Sequence, residues 1–497
     1  MNSIKKDPNE LFWPIMIAIF FGAFIAVLNT STINIAIPSL MNDFNSPIHT
    51  IQWTLTGFML ATGLSAPLSG YLGDRFGSRM VYIIVLAGLA SASLLCALAW
   101  NPLSLILFRI VQGFFCGIII PVTMTIIYET FDKEKHAFAI SLWSVASWMG
   151  PALGPTLAGL ILQYMSWQWI FIINIPLAII AIILAVKLIP EKGERVKSKL
   201  DISGLILVLY CSFALLIIFS EGTTWGISSW KTILFAITGG GTLLLFIWKE
   251  LRTSNPLLEL RVFKKVKFSI SVVISSITTM SLFAGVYLVP LFMQTVQGAS
   301  PLKTGLILLP ASLIMIIVMP IIGKMYNRVG PFILTFIGIV IIAWSQWQLH
   351  LLTTDVESSY ILIWMMIRNI GLAFASAPVT NAGMEVISKE LYGHASAVNN
   401  WTRQVVSSLA IGLFSAIYAS RQVVHLERLS GDTVTEGDRL DAMTSGINDV
   451  FLLSTCIVLV AVPLSFWFRK KPSKGPVLKE KQTRLSDEII LHDKSNN

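Results

Sequence analysis

Charge is scarce in this sequence. Only 13% of its 497 residues are Asp, Glu, Lys or Arg, about half of the ~25% usual in soluble domains. A soluble core cannot hide a chain that is 55% hydrophobic, so a free globular protein is excluded. Cysteine is scarce too. Cys96, Cys116, Cys211 and Cys456 each lie in an apolar run without C-x-x-C spacing, which excludes a disulfide framework and a thiolate metal centre. The six histidines, His49, His136, His350, His394, His425 and His492, have no ligand spacing, so no metal and no cofactor is expected. No Walker-type glycine loop is present, which excludes an ATP-driven pump built from this chain alone. No cluster of titratable residues suggests an enzyme, and no sizeable soluble stretch suggests a sensor or scaffold. Short alternating strands, the mark of an outer-membrane barrel, are missing as well.

Long apolar runs take their place. They fall near 12–38, 50–71, 80–100, 103–128, 137–163, 167–189, 202–221, 230–249, 268–294, 302–323, 332–352, 359–384, 394–419 and 449–468. Each is close to the roughly 20 residues that carry a helix across a bilayer with its backbone hydrogen bonds satisfied internally. The sequence therefore predicts an all-α polytopic membrane protein with fourteen spans. The first run is too long for a signal-peptide core and is taken as a retained span. With both termini placed inside, inside segments hold 28 Lys and Arg, outside segments hold 5, and Arg109, Arg368 and Arg403 lie within spans. The positive-inside rule selects that orientation: a multi-pass protein of the plasma (inner) membrane with both ends cytoplasmic. A long outside loop is expected over 420–448. The net charge of +9 is topogenic rather than a nucleic-acid surface.

The chain also repeats itself. Gly70-Tyr-Leu-Gly73-Asp74-Arg75-Phe-Gly77-Ser-Arg79 returns as Gly323-Lys-Met-Tyr-Asn327-Arg328-Val-Gly330, and an arginine follows in an apolar run of each half, at Arg109 and Arg368. Two related halves are a common route to alternating access. The expected division is a cytoplasmic N-terminus at 1–11, a six-helix bundle over 12–189, and a linker with two inserted spans over 190–267. A second six-helix bundle over 268–468 and a tail from 469 to 497 complete it.

Five motifs carry a family resemblance. The loop Gly70–Arg79 resembles G-x-L-x-D-R-x-G-x-R. Its glycines (Gly70, Gly73, Gly77) permit a tight turn, and Asp74, Arg75 and Arg79 can clasp the facing bundle in one state and release it in another. Leu105-x3-Arg109-x2-Gln112-Gly113 places an arginine inside a span, where its cost marks a functional candidate. Gly150-Pro151-Ala-Leu-Gly154-Pro155-Thr-Leu-Ala158-Gly159 sets small residues four apart for close helix contact, with two prolines that favour a bend. Trp167-Gln-Trp169-Ile-Phe171-Ile-Ile-Asn174-Ile-Pro176 and Ala395-Ser-Ala-x-Asn399-x3-Arg403-Gln404 complete the set. Together these resemble the major facilitator superfamily, in its fourteen-span drug:proton antiporter branch of multidrug and lincomycin-resistance exporters. The resemblance implies two six-helix bundles plus two inserted helices, proton-coupled efflux of small hydrophobic molecules, and no enzymatic activity. Uptake or metabolite export by the same fold is the alternative. It also implies that the glycines of span five seal the interface between the bundles, and that a monomer suffices, with substrate, protons and lipid as its partners.

One position departs from the branch. Leu28-Asn29-Thr-Ser-Thr-Ile-Asn34-Ile-Ala36-Ile-Pro38 resembles its L-D-x-T-I-V-N-V-A-L-P, with Asn29 in place of an acid that can titrate. No Asp or Glu stands near the middle of any span. Glu129 and Glu385, at span ends, are the candidate proton carriers, with Arg109 tuning them through nearby charge. Asn29, Asn34, Arg109, Gln112, Trp143, Arg368 and Arg403 are the cavity and coupling candidates, with Trp53 and Trp148 as further lining. A cavity with arginines and no carboxylate favours neutral, zwitterionic or anionic substrates, because a buried cation needs a nearby negative charge or aromatic face.

Overall fold

The computed structural model describes residues 11–46, 48–190, 201–226, 229–253, 256–299, 301–429 and 435–469. The N-terminal stretch, most of the segment before the inserted helices, and the tail from 470 lie outside the described residues.

Among the described residues, sixteen α-helices form fourteen rods. In the first half these are α1 (Phe12–Asp43), α2 (Ile48–Ser65) with α3 (Leu68–Phe76), α4 (Ser78–Ala97), α5 (Pro102–Thr130), α6 (Lys133–Tyr164), and α7 (Trp169–Ile172) with α8 (Asn174–Leu188). The inserted pair is α9 (Ile202–Trp225) and α10 (Trp230–Arg252). The second half holds α11 (Val266–Thr295), α12 (Pro301–Val329), α13 (Pro331–Leu349), α14 (Ser358–Met384), α15 (Tyr392–Leu429) and α16 (Glu436–Ser465). Among the described residues, 11 helices are long and apolar enough to cross a membrane. The other three expected spans are helical at α2–α3, α6 and α9.

The polar 420–448 stretch corrects an expectation. It was expected as a loop, yet α15 runs to Leu429 and α16 starts at Glu436. Thr435 caps α16 through a reciprocal bond with Asp438, and Asp449 of α16 accepts from His425 of α15 at 2.8 Å and pairs with Arg421 at 2.5 Å. Capping and cross-helix pairs extend both helices past their apolar cores.

Packing follows the repeat. In the first half α1 lies on α6 and α8, α2 on α5, and α4 on α5 and α8. In the second, α13 lies on α14 and α16, α12 on α14, and α11 on α14, α15 and α16. Between the halves, α6 meets α12 and α15 meets α3 and α5. The inserted α9 packs on α10, α15 and α2.

Two turns show why glycine recurs at fixed offsets. Gly77 at φ +83° and Gly330 at φ +86° sit in the left-handed region. Each ends its helix by donating to the carbonyl four residues back, Gly73 at 2.8 Å and Tyr326 at 2.9 Å. A side chain at either position would strain the turn.

Candidate functional site

Helix α5 begins on Asn101, whose side chain accepts from Ser104 N at 2.7 Å while Pro102 stands at the first position. That cap fixes the start of the helix and places Arg109 two turns inside. Arg109 is fully buried. Its Nε donates to Thr54 O at 3.1 Å, Nη2 to Asn29 O at 3.2 Å and Nη1 to Gln112 Oε1 at 2.6 Å. The guanidinium also lies 4.0 Å from the Phe58 ring centroid. It reaches α2 because Gly113 lets the helices close: a Cβ there would strike the backbone of Phe58.

Gln112 turns its amide to Ser93 Oγ at 2.7 Å and Asn29 Oδ1 at 3.1 Å. Asn29 and Asn174 exchange amide bonds at 3.0 and 3.3 Å. Four helices are thus joined by neutral amides around one cation. Among the described residues Arg109 has no carboxylate partner. Two backbone carbonyls, the Gln112 amide oxygen and an aromatic face offset the cost of burying its charge.

The second half repeats the device. Arg368 is fully buried on α14 and donates to Ser281 O at 2.9 Å and Leu282 O at 2.6 Å, both on α11. Gly285 leaves the room: a Cβ there would stand 2.6 Å from the guanidinium carbon. Gln346 donates to Ser281 Oγ at 2.7 Å, as Gln112 does to Ser93.

These placements correct part of the expected cavity. Asn29 is 2% exposed, and Arg109, Gln112 and Arg368 are fully buried. All four sit in the cores of the bundles, because their hydrogen bonds run to other helices of the same half. The space between the halves is a cavity of about 80 Å³ with different walls. Trp143 of α6, Thr278 of α11, Ser376 of α14, and Asn399, Asn400 and Arg403 of α15 line it. Trp143 is held by a 3.0 Å bond to Thr123 Oγ1, and Arg403 donates to Asn400 Oδ1 at 3.2 Å. The lining residues include no Asp or Glu. Of the expected residues, Trp143 and Arg403 come together here. Trp53 is exposed. The side chains of Asn34, Trp148, Pro151 and Pro155 lie outside those described.

Polar contacts between the halves gather at the Asp74 end. Asp74 Oδ2 meets His394 Nε2 of α15 at 2.9 Å. At the repeat position, Asn327 Nδ2 donates to Glu134 O of α6 at 2.7 Å. Gly70 packs on His394, where a Cβ would be tight at 3.1 Å, and Gly323 on Ser141 and Ala137 without room for a Cβ. Ser396 Oγ adds a 2.9 Å bond to Pro121 O. Arg75 and Arg79 turn to their own half, to Tyr71 OH and Val186 O. Gly73 makes no tight contact. Glu129 is half-buried near the end of α5, while Glu385 is exposed beyond α14 and accepts from Asn381 at 2.9 Å.

Span five also differs from expectation. A Cβ on Gly150 would lie 2.6 Å from Val27 of α1, whereas Gly159 has open space around it. The close contact at Gly150 is therefore inside the first bundle, not between bundles, and Gly159 does not take part. Gly154 is buried. Gly150→Leu should lower the detergent-solubilised melting temperature or prevent folding, and Gly159→Leu should leave it unchanged, as read by tryptophan fluorescence on heating. Equal melting of the two variants would remove the α1–α6 contact from the account.

His394, Asn174 and Thr54 were not among the expected site residues. Asn174 stands in a quoted motif, and its partner could be guessed from neither side. His394 was one lone histidine at a span end. Thr54 contributes only a backbone oxygen, which no side-chain pattern reveals.

Comparison with known proteins agrees with this geometry. The family model "Major Facilitator Superfamily" matches residues 19–411. An uncharacterised transporter of that type, YhcA of Bacillus subtilis, is 31% identical over 97% of this chain and 96% of its own. The tetracenomycin C resistance and export protein of Streptomyces glaucescens is 28% identical over 82% of this chain and 76% of its own. The lincomycin resistance protein LmrB of Listeria monocytogenes is 26% identical over 92% of this chain and 97% of its own. The solved proton:xylose symporter XylE shares the fold at a TM-score of 0.63 and 15% identity, covering 93% of this chain and all of that one. With paired buried arginines, repeated contacts across the halves and a cavity between them, the chain is a multi-pass transporter, not an enzyme, and belongs to the major facilitator superfamily.

Proposed function

We propose that the protein exports small hydrophobic molecules, neutral or anionic, across the plasma membrane in exchange for protons. The observation that carries this is the cavity between the halves, lined among the described residues by one arginine, amides and hydroxyls, a tryptophan, and no carboxylate. An anion there gains a charge-assisted bond from Arg403. A cation would have only the Trp143 face to offset its desolvation and would meet repulsion from Arg403. Relatives named for resistance and export support the outward direction.

In this proposal the bundles 12–189 and 268–468 rock about the cavity, with 190–267 as the inserted segment, and a monomer suffices. The Asp74 end faces the cytoplasm, so the conformation described is closed to the cytoplasm. Asp74 with His394, and Asn327 with Glu134, form the closing latches. Glu129 and Glu385 are the proton-carrier candidates on that side.

The test is accumulation of a carboxylated hydrophobic dye in cells with and without the protein. Expression should lower dye content, and a protonophore should restore it. Tags at Asn2 and Lys494 should report cytoplasm and a tag at Asp438 the outside. Lower dye content that persists after the proton gradient is collapsed would contradict antiport; an external C-terminus would contradict the orientation.

A further inference from the structure

Outside the cavity and the latches, one group of buried titratable residues is left unexplained by transport through the centre. It lies at the Asp74 end of the inserted pair. Glu250, in the last turn of α10, is fully buried. Its Oε2 accepts from Leu258 N at 3.1 Å, and its Oε1 has no hydrogen-bond partner. Asp201, which caps α9, shows the same division. Its Oδ1 takes Gly204 N at 2.9 Å, Ser203 Oγ at 3.0 Å and the Lys249 ammonium, while Oδ2 is buried without a partner.

The two orphaned oxygens converge. A Cβ on Gly204 would collide with Glu250 Oε1 and Asp201 Oδ2 alike, so both occupy the one space that a glycine leaves open. Two buried carboxylate oxygens that crowd one small space without a donor repel and remain unsatisfied. A single proton relieves both defects. We propose that Glu250 and Asp201 form a proton-binding site in which Glu250 Oε1 carries the proton and donates it to Asp201 Oδ2.

Chemistry decides which carboxyl is the acid. Burial alone would raise the Asp201 pKa, but the hydrogen bonds from Lys249, Gly204 and Ser203 outweigh it and hold the group below its ordinary value. Asp201 therefore stays ionised and accepts. Glu250 has one backbone donor and no cation on its own oxygens, so the proton rests there. The proton comes from water, adds to an Oε1 lone pair and leaves the same way; no other bond changes.

The surroundings are accounted for among the described residues. Lys249 belongs to Asp201. Arg252 lies over the Trp248 ring at 4.6 Å. From the linker that follows α10, Arg261 donates to Thr253 O at 3.1 Å and pairs with Glu259 at 3.5 Å. The same linker reaches the latch: Glu259 N donates to His394 Nδ1 at 3.4 Å, and His394 Nε2 meets Asp74. A bond to Glu250 and a bond to His394 thus leave neighbouring backbone amides, 258 and 259. The site goes beyond the export proposal and stands whichever direction transport takes.

Infrared difference spectra of the full-length purified protein, taken across an acid-to-alkaline titration, test it. The expected result is a protonated-carboxyl C=O band that persists to near-neutral pH and is lost in Glu250→Gln. Should that variant fail to fold, Asp201→Asn serves instead. Removing the ionised neighbour should move the band's titration about one pH unit or more to the acid side. A wild-type spectrum without such a band, or a band that neither substitution alters, would overturn the proposal. So would its displacement by sodium chloride at constant pH and ionic strength, which would mean that a metal cation fills the space.

Discussion

Arg403→Gln is expected to cut export of a carboxylated hydrophobic dye by about tenfold or more, while export of a neutral analogue of similar size stays within about twofold. Among the described residues, Arg403 is the one charged group lining the cavity between the halves. A charge pair 4 Å apart at an effective dielectric of about 20 is worth about 4 kcal/mol, so tenfold, about 1.4 kcal/mol, is a modest share. Glutamine removes the charge while keeping a polar amide on a shorter side chain, and the neutral analogue controls for the lost reach. The measurement is dye efflux from preloaded cells, with surface expression matched. Equal loss of both dyes would assign Arg403 a packing role instead.

Arg109→Lys should be more damaging although charge is retained. The guanidinium joins α2, α1 and its own helix through Thr54 O, Asn29 O and Gln112 Oε1. An ammonium on a shorter, rounder head cannot reach all three. Losing two charge-assisted bonds at about 1.5–3 kcal/mol each predicts a destabilisation of about 3 kcal/mol or more. Transport of charged and neutral substrates should fall together, with a lower melting temperature in detergent. A lysine variant with native melting and selective loss of anionic transport would place Arg109 in the substrate path.

Those two arginines show how far the sequence could be read. Both stand in apolar runs, where only function or a dedicated set of partners tolerates a charge. Which of the two faces the cavity depends on helix rotation. Arg109 turns toward α1 and α2 because Gly113 brings α2 within reach, whereas Arg403 sits on the face of α15 that looks across to α11 and α14. The motif of span one suggests Asn29 as cavity lining. Its amide instead bonds Gln112 and Asn174, so an acid at that position would answer Arg109 rather than a substrate.

The spans were legible because apolar length is a direct demand of the bilayer. The polar ends of α15 and α16 were not, since capping and cross-helix pairs sustain them rather than hydropathy. The repeat Gly70–Asp74 and Gly323–Asn327 was visible as a pattern. Its meaning, that each copy touches the opposite half at His394 and Glu134, needed the bundles placed side by side.

Uptake into inverted proteoliposomes with an imposed proton gradient tests the central claim most directly. Three dyes of matched size, anionic, neutral and permanently cationic, would be compared in vesicles holding the wild-type protein. The account predicts gradient-dependent accumulation of the anionic and neutral dyes and little of the cation. Strong gradient-driven accumulation of the cation, with the anion left behind, would contradict it.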